Sequence, residues 1–115
     1  MDTTPLTATH EALGARMTDF AGTRMPLQYG GGIGHEHVAA RERCGVFDVS
    51  HMAEFRIDGA GALELLRFAL VNDAKKLRAG RAHYSMMPND RGGLVDEVYV
   101  YHLAKRDWLV VANAA

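Results

Sequence analysis

Gly92-Gly93-Leu94-Val95-Asp96-Glu97-Val98-Tyr99-Val100-Tyr101 joins a glycine turn to a run of residues that favour β-strands. The run continues to Leu103, and the polar residues 105–107 then separate it from a second apolar run at 108–111. This pattern predicts a β-hairpin. We expect the strand over 94–103 to be central in its sheet and antiparallel to its neighbours.

The rest of the chain alternates between helical and strand-like patterns. Apolar residues at helical spacing and turn signals divide the sequence into short elements. Helices are expected over about 6–14, 33–43 and 62–70, and strands over 16–20, 46–57 and 82–87. This mixture predicts an α+β fold, an antiparallel sheet with packed helices, rather than a doubly wound sheet.

Composition excludes several classes of function. The chain has 115 residues and a net charge of −1, and no basic stripe with interleaved aromatic residues is present, so no nucleic-acid partner is expected. No apolar run is long enough to span a membrane, and the amino terminus does not resemble a signal peptide. The single cysteine, Cys44, fits a reducing compartment, and we expect a cytoplasmic protein.

Two neighbouring acids interrupt the apolar strand. Because side chains alternate along a strand, Glu97 shares a face with Tyr99 and Tyr101, whereas Asp96 shares the other face with Val98. A carboxylate on a covered face is either bonded to donors or used for proton transfer. The alternative is structural: one acid is exposed to solvent and the other caps the turn at 92–93.

Aromatic residues surround these acids in the expected sheet. Tyr84, Tyr99 and Tyr101 come from strands that can be adjacent, and rings beside a carboxylate suit a flat heteroaromatic ligand. Ordinary cross-strand pairing of aromatic residues is the alternative. Met52 is a soft contact for such a ligand or part of the core. We expect no metal site, because His35 and His37 diverge on a helix and no third ligand is evident.

A second stretch, Gly45-Val46-Phe47-Asp48-Val49-Ser50-His51-Met52, carries a family resemblance. Together with Met25-Pro26-Leu27-Gln28-Tyr29, Gly92-Gly93 and Asn113-Ala114-Ala115, in this order, it resembles the amino-terminal part of the glycine cleavage system aminomethyltransferase, the T-protein. The likeness covers nearly the whole chain. It implies that residues 1–115 are the amino-terminal part of a folate-binding aminomethyltransferase domain, interrupted before its end.

The resemblance also implies a reaction and its site. Members of this family take an aminomethyl group from the lipoyl arm of a partner protein, pass the one-carbon unit to tetrahydrofolate and release ammonia. By motif, the folate-binding residues are Met52, Tyr84, Glu97, Tyr101 and Asn113. Glu97 and Asp96 are the catalytic candidates. The family has a second aspartate where this chain has Glu97, and we expect this second acid to face the folate.

Two other functions remain open at this stage. One is the related folate-binding domain of sarcosine or dimethylglycine dehydrogenases, or of a folate-dependent demethylase. The other is a non-catalytic module that binds a partner or a second copy of itself through an exposed sheet edge. Open strand edges and an uncovered apolar face also lead us to expect self-association of the chain.

Overall fold

Residues 1–114 are described by a computed structural model, in which they divide into two units. The first unit spans Met1–His51, and the second spans Met52–Ala114. Ala115, the last residue of the Asn113-Ala114-Ala115 motif, lies outside the described residues. Within residues 1–114, no helix has both the length and the apolar character needed to cross a membrane.

The first unit is a small mixed sheet with two helices. Its central strand β3 pairs in parallel with β1 and antiparallel with β2, giving the order β1-β3-β2. The turn between β2 and β3 places Ala21 and Gly22 at positive φ, which glycine adopts without strain. The elements are β1 (Asp2–Thr3), α1 (Thr7–Ala12), β2 (Arg16–Phe20), β3 (Thr23–Gln28) and α2 (Gly32–Glu42).

The strand predicted over 46–57 is wrong in its first half. Strand β4 begins only at Ala53, and residues 44–52 form an irregular loop. Within this loop, the side chain of Asp48 accepts a hydrogen bond from the backbone N–H of Ser50 at 2.9 Å. Such a local bond turns the backbone and competes with strand pairing.

The second unit is a four-stranded antiparallel sheet covered on one face. The strand order is β4-β7-β6-β5, so β6 lies in the interior and is antiparallel to both neighbours, as the sequence predicted. The hairpin between β6 and β7 is also confirmed, and Arg106 in its turn has a φ of 63°. The elements are β4 (Ala53–Asp58), α3 (Ala62–Ala69), a 3-10 turn (Ala74–Lys76), β5 (Arg81–Pro88), β6 (Leu94–Ala104) and β7 (Asp107–Ala112).

The core of the second unit fixes which side of β6 is open. Leu66 of α3 packs in the core with Val98 and Val100, and all three side chains are almost completely buried. Alternation along β6 therefore leaves Tyr99 and Tyr101 on the opposite face, where they are 50% and 37% exposed. The fold is α+β, as predicted, and its open face carries the candidate site.

Candidate functional site

The candidate site lies at one end of the sheet in the second unit. Tyr99 pairs with Val111 in antiparallel register. Glu97, two residues before Tyr99, therefore lies across from Asn113, two residues after Val111. Ala53 pairs with Ala112, which brings the half-buried Met52, just before β4, to the same end. Antiparallel register thus gathers residues that are far apart in the sequence.

Glu97 stands on an exposed face with three tyrosines. Its carboxylate accepts a hydrogen bond from the hydroxyl of Tyr84 on the neighbouring strand β5. The ring centroids of Tyr84 and Tyr99 are 5.6 Å apart at 71°, and those of Tyr99 and Tyr101 are 6.4 Å apart at 37°. We call Glu97 and these three rings the tyrosine face. It presents aromatic surface and one carboxylate to solvent.

Asp96 points the other way and is bound to the end of β7. Its Oδ1 accepts hydrogen bonds from Asn113 Nδ2 and from the backbone N–H of Glu97, both at 2.8 Å. Its Oδ2 accepts from the backbone N–H of Asn113 at 3.0 Å. The bond from the Asn113 side chain is the largest of the effects that hold the pKa of Asp96 below its ordinary value. This carboxylate is therefore ionised at neutral pH and engaged with protein donors.

The turn at 92–93 is not capped by either acid, which corrects the structural alternative raised from the sequence. Asn89 does this instead, because its Oδ1 accepts from the backbone N–H groups of Arg91 and Gly93 at 2.9 and 3.0 Å. The alternation that separates Asp96 from Glu97 is confirmed. The hydrogen bond between Asp96 and Asn113 was not predicted, although the hairpin register would have indicated that the two strand ends meet.

Of the residues assigned to folate binding, Tyr84, Tyr101 and Glu97 share the tyrosine face. Asn113 meets Glu97 through a hydrogen bond from its Nδ2 to the Glu97 carbonyl oxygen at 3.1 Å. Tyr84 also pairs directly with Tyr99 across the strands, as the structural alternative requires. Rings paired in this way remain exposed on one side, so pairing does not prevent them from binding a ligand.

The first unit contains a buried polar chain that sequence reasoning missed. Asp48 Oδ2 lies 2.9 Å from His10 Nε2, and His10 Nδ1 lies 2.6 Å from the hydroxyl oxygen of Tyr29. The side chains of His10 and Asp48 are only 10% and 1% exposed. Burial alone would raise the pKa of Asp48, but hydrogen bonds led by those from Ser50 and His10 outweigh it and hold this pKa far below its usual range. The sequence does carry one sign of this polar chain, because Asp48 is an acid inside the otherwise apolar run 46–49.

An open cleft of about 540 Å³ adjoins this polar chain within the first unit. Tyr29 and Asp48 line it together with apolar side chains such as Ile33 and Phe47. Among residues 1–114, no three His, Cys, Asp or Glu side chains are arranged to hold a metal ion. The cleft also carries the polar side chains of Glu36 and His37, while the Tyr29 hydroxyl and the Asp48 carboxylate are each hydrogen-bonded to His10.

Similar proteins agree on one family. Curated aminomethyltransferases from Thermus thermophilus and Streptomyces coelicolor are 56% and 52% identical to this chain over 115 and 112 residues, which is 100% and 97% of its length. The chain spans about a third of these relatives, 33% and 30% of their lengths. The crystal structure of the glycine cleavage system aminomethyltransferase T from Bartonella henselae matches 98% of the chain and 31% of its own, with a TM-score of 0.94 and 42% identity.

The family model of the GCVT N-terminal domain matches residues 6–115, which is nearly the whole chain. The same residues supply the strand β6, the tyrosine face and the irregular loop before β4. The resemblance noted from the sequence motifs is thereby confirmed, and the chain belongs to the GCVT N-terminal domain family.

Proposed function

We propose that this chain is the amino-terminal part of a tetrahydrofolate-dependent aminomethyltransferase of glycine cleavage. In the proposed reaction, a one-carbon unit passes from an aminomethyl group on a lipoyl-carrying partner protein to tetrahydrofolate, and ammonia is released. Family membership and the names of the curated relatives support the reaction class. The single observation that carries the site is a carboxylate, Glu97, among three half-exposed tyrosine rings.

The tyrosine face has the chemistry that a tetrahydropterin requires. Three rings with centroids 5.6 and 6.4 Å apart offer stacking and edge contacts to a flat, nitrogen-rich ring system. Tyr84, Tyr99 and Tyr101 are each between 37% and 50% exposed, so a ligand buries additional apolar surface there. Met52 lies at the same end of the sheet and suits the wall of such a pocket.

Glu97 is the proposed catalytic residue. Its carboxylate accepts hydrogen bonds, so it can hold an N–H group of the folate and orient the nitrogen that becomes bonded to the one-carbon unit. Tetrahydrofolate supplies the acceptor nitrogen when bound. The hydrogen bond from Tyr84 restricts the rotamers of Glu97 and keeps its carboxylate on the tyrosine face. Proton transfer at the Glu97 carboxylate is a second proposed role.

The glutamate itself is a departure from the aspartate expected at this position of the family. Its side chain is one methylene longer, and a displacement of about 1 Å can change a rate by about a hundredfold. We propose that the hydrogen bond to Tyr84 compensates in part, because it draws the longer side chain towards β5 and fixes where its carboxylate stands.

The direct test is binding of tetrahydrofolate to the 115-residue chain, measured by isothermal titration calorimetry without oxygen. We expect Glu97→Gln to weaken binding by about tenfold, since a charged hydrogen-bond acceptor is lost. Glu64→Gln, an exposed acid at the start of α3, is the matched control and should bind like the wild type. Equal binding by the wild type and Glu97→Gln would contradict the proposed role of Glu97.

A further inference from the structure

The side-chain amide of Asn113 has both of its N–H groups occupied. Nδ2 donates to Asp96 Oδ1 at 2.8 Å and to the carbonyl oxygen of Glu97 at 3.1 Å. An amide nitrogen carries two hydrogens, so these two bonds complete its donor capacity. Within residues 1–114, no group donates to Asn113 Oδ1. The carbonyl end of this side chain is the end left for another molecule.

An amide can rotate by half a turn and exchange its oxygen and nitrogen, so its orientation depends on its partners. Here both partners accept hydrogen bonds and neither can donate. The peptide carbonyl of Glu97 is always an acceptor, and the Asp96 carboxylate is an acceptor while it is ionised. The three donors around Asp96 keep it ionised at neutral pH. A rotated Asn113 would place its oxygen against two other oxygens.

Asp96 and Asn113 together also hold the backbone of Glu97. Asp96 accepts from the backbone N–H of Glu97, and Asn113 donates to the carbonyl oxygen of Glu97. Both ends of this residue are thus tied to side chains whose positions depend on each other. Asp96 achieves this from the opposite side of β6, without belonging to the tyrosine face.

We propose that Asp96 is a positioning residue that locks the Asn113 amide with its carbonyl oxygen presented to the ligand. The lock selects a ligand that offers an N–H donor beside its stacked ring and rejects one that offers a lone pair there. A tetrahydropterin has such ring N–H and amino groups, and in this respect the inference rests on the proposed function. Asp96 acts through Asn113 and Glu97, and it does not itself transfer a proton.

The lock is testable without any ligand. In the chain labelled with both ¹³C and ¹⁵N, nuclear magnetic resonance should detect a scalar coupling from Asn113 Nδ2 across the hydrogen bond to the Asp96 carboxyl carbon. In Asp96→Asn, the Asn113 amide signals should shift and broaden or double, because the new amide can both donate and accept. Asp90→Asn, in an exposed turn, should leave these signals unchanged. A wild-type chain with no coupling, or Asn113 signals that ignore Asp96→Asn, would overturn the lock.

Binding of tetrahydrofolate then tests the consequence of the lock. Asp96→Asn should weaken binding by about tenfold, because the amide is free to present its donor end. Asn113→Asp alone should also weaken binding, since two carboxylates then face each other. The double variant Asp96→Asn with Asn113→Asp should bind more tightly than either single variant, because the new asparagine donates to the new aspartate and an acceptor oxygen again faces the ligand.

The outcomes separate this inference from the proposed function. A wild-type chain that shows the coupling but does not bind tetrahydrofolate supports the lock and counts against the folate site. A wild-type chain that binds tetrahydrofolate, with Asp96→Asn binding equally well, supports the folate site and overturns the positioning role. If the double variant binds no better than Asp96→Asn, the amide orientation does not control binding, and the proposal fails.

Discussion

The carboxylate of Asp48 lies 2.9 Å from His10 Nε2, although the two residues are 38 positions apart in the sequence. The same Oδ2 accepts a hydrogen bond from the hydroxyl of Thr4 at 2.9 Å. Asp48 thereby ties the irregular loop 44–52 to the beginning of the chain. The loop has no strand pairing up to Ala53, so these side-chain bonds are its main polar attachment to the first unit.

Replacing this carboxylate should destabilise the chain strongly. Asp48→Ala removes the acceptor for His10, Thr4 and Ser50, and it leaves buried donors without partners. We expect a loss of about 3 kcal/mol in the free energy of unfolding, measured by urea denaturation. Asp58→Ala, an exposed acid at the end of β4, is the control and should change stability by less than about 0.5 kcal/mol. A similar small effect of Asp48→Ala would contradict the anchoring role.

Acid should weaken the same attachment. The pKa of Asp48 is lowered on folding, so its contribution to stability is present above the pKa of the unfolded chain and is lost as the pH falls towards the folded pKa. The difference in unfolding free energy between the wild type and Asp48→Asn should therefore shrink as the pH falls from about 5 to below about 4. Urea denaturation across this range measures it. A stability difference that grows as the pH falls would contradict this prediction.

Substitutions of Glu97 and of Asp96 should change different steady-state kinetic constants. In an assay of the proposed reaction with a lipoyl-carrying donor protein, Glu97→Gln should lower kcat for transfer to tetrahydrofolate by about a hundredfold or more. Glu97→Asp should preserve or raise activity, because it restores the shorter acid. Asp96→Asn should mainly raise KM, since it acts through Asn113. If Asp96→Asn abolishes transfer while Glu97→Gln does not, the wrong acid has been placed at the folate.

Self-association should depend on exposed apolar side chains of the second unit. Phe68 on α3 is 90% exposed, and Phe55 on the edge strand β4 is 54% exposed. Large exposed rings near a free strand edge favour pairing with another copy. Sedimentation velocity should detect species larger than the monomer, and Phe68→Ser should reduce them. A wild-type chain that stays monomeric at high concentration and melts sharply at high temperature would count against this expectation.

Local patterns predicted the second unit well and the first unit less well. Strand β6 alternates between buried and exposed residues, and the polar turn after Leu103 marks a hairpin, so both were evident from the sequence. Strand β3 was missed because Pro26 lies within it, and proline usually indicates that a strand is absent or at an edge. In the structure Pro26 faces Met17 beside a register shift in β2, where the missing N–H is tolerated.

The failures at the loop and at the site have a common physical cause. Val46, Phe47 and Val49 have the composition of a strand, but Asp48 accepts a local bond from Ser50 and bonds from Thr4 and His10, far earlier in the chain, and these together hold the loop. The bond between Asp96 and Asn113 likewise joins residues 17 positions apart through the hairpin register. Hydrophobic periodicity describes only residues within one helix or strand, so it could not predict hydrogen bonds between side chains of different elements.

The hydrogen bond between Tyr84 and Glu97 has a consequence for the kinetics of ligand entry. A carboxylate that already has a protein partner sheds less water when a ligand arrives, so association resembles an exchange of partners more than a fresh encounter. Tyr84 belongs to β5, the outermost strand of its sheet, whereas Glu97 belongs to an interior strand. We therefore expect opening of this edge strand to determine how often Tyr84 releases the Glu97 carboxylate. Access of a ligand to an acid on the interior strand β6 thus depends on the edge strand β5.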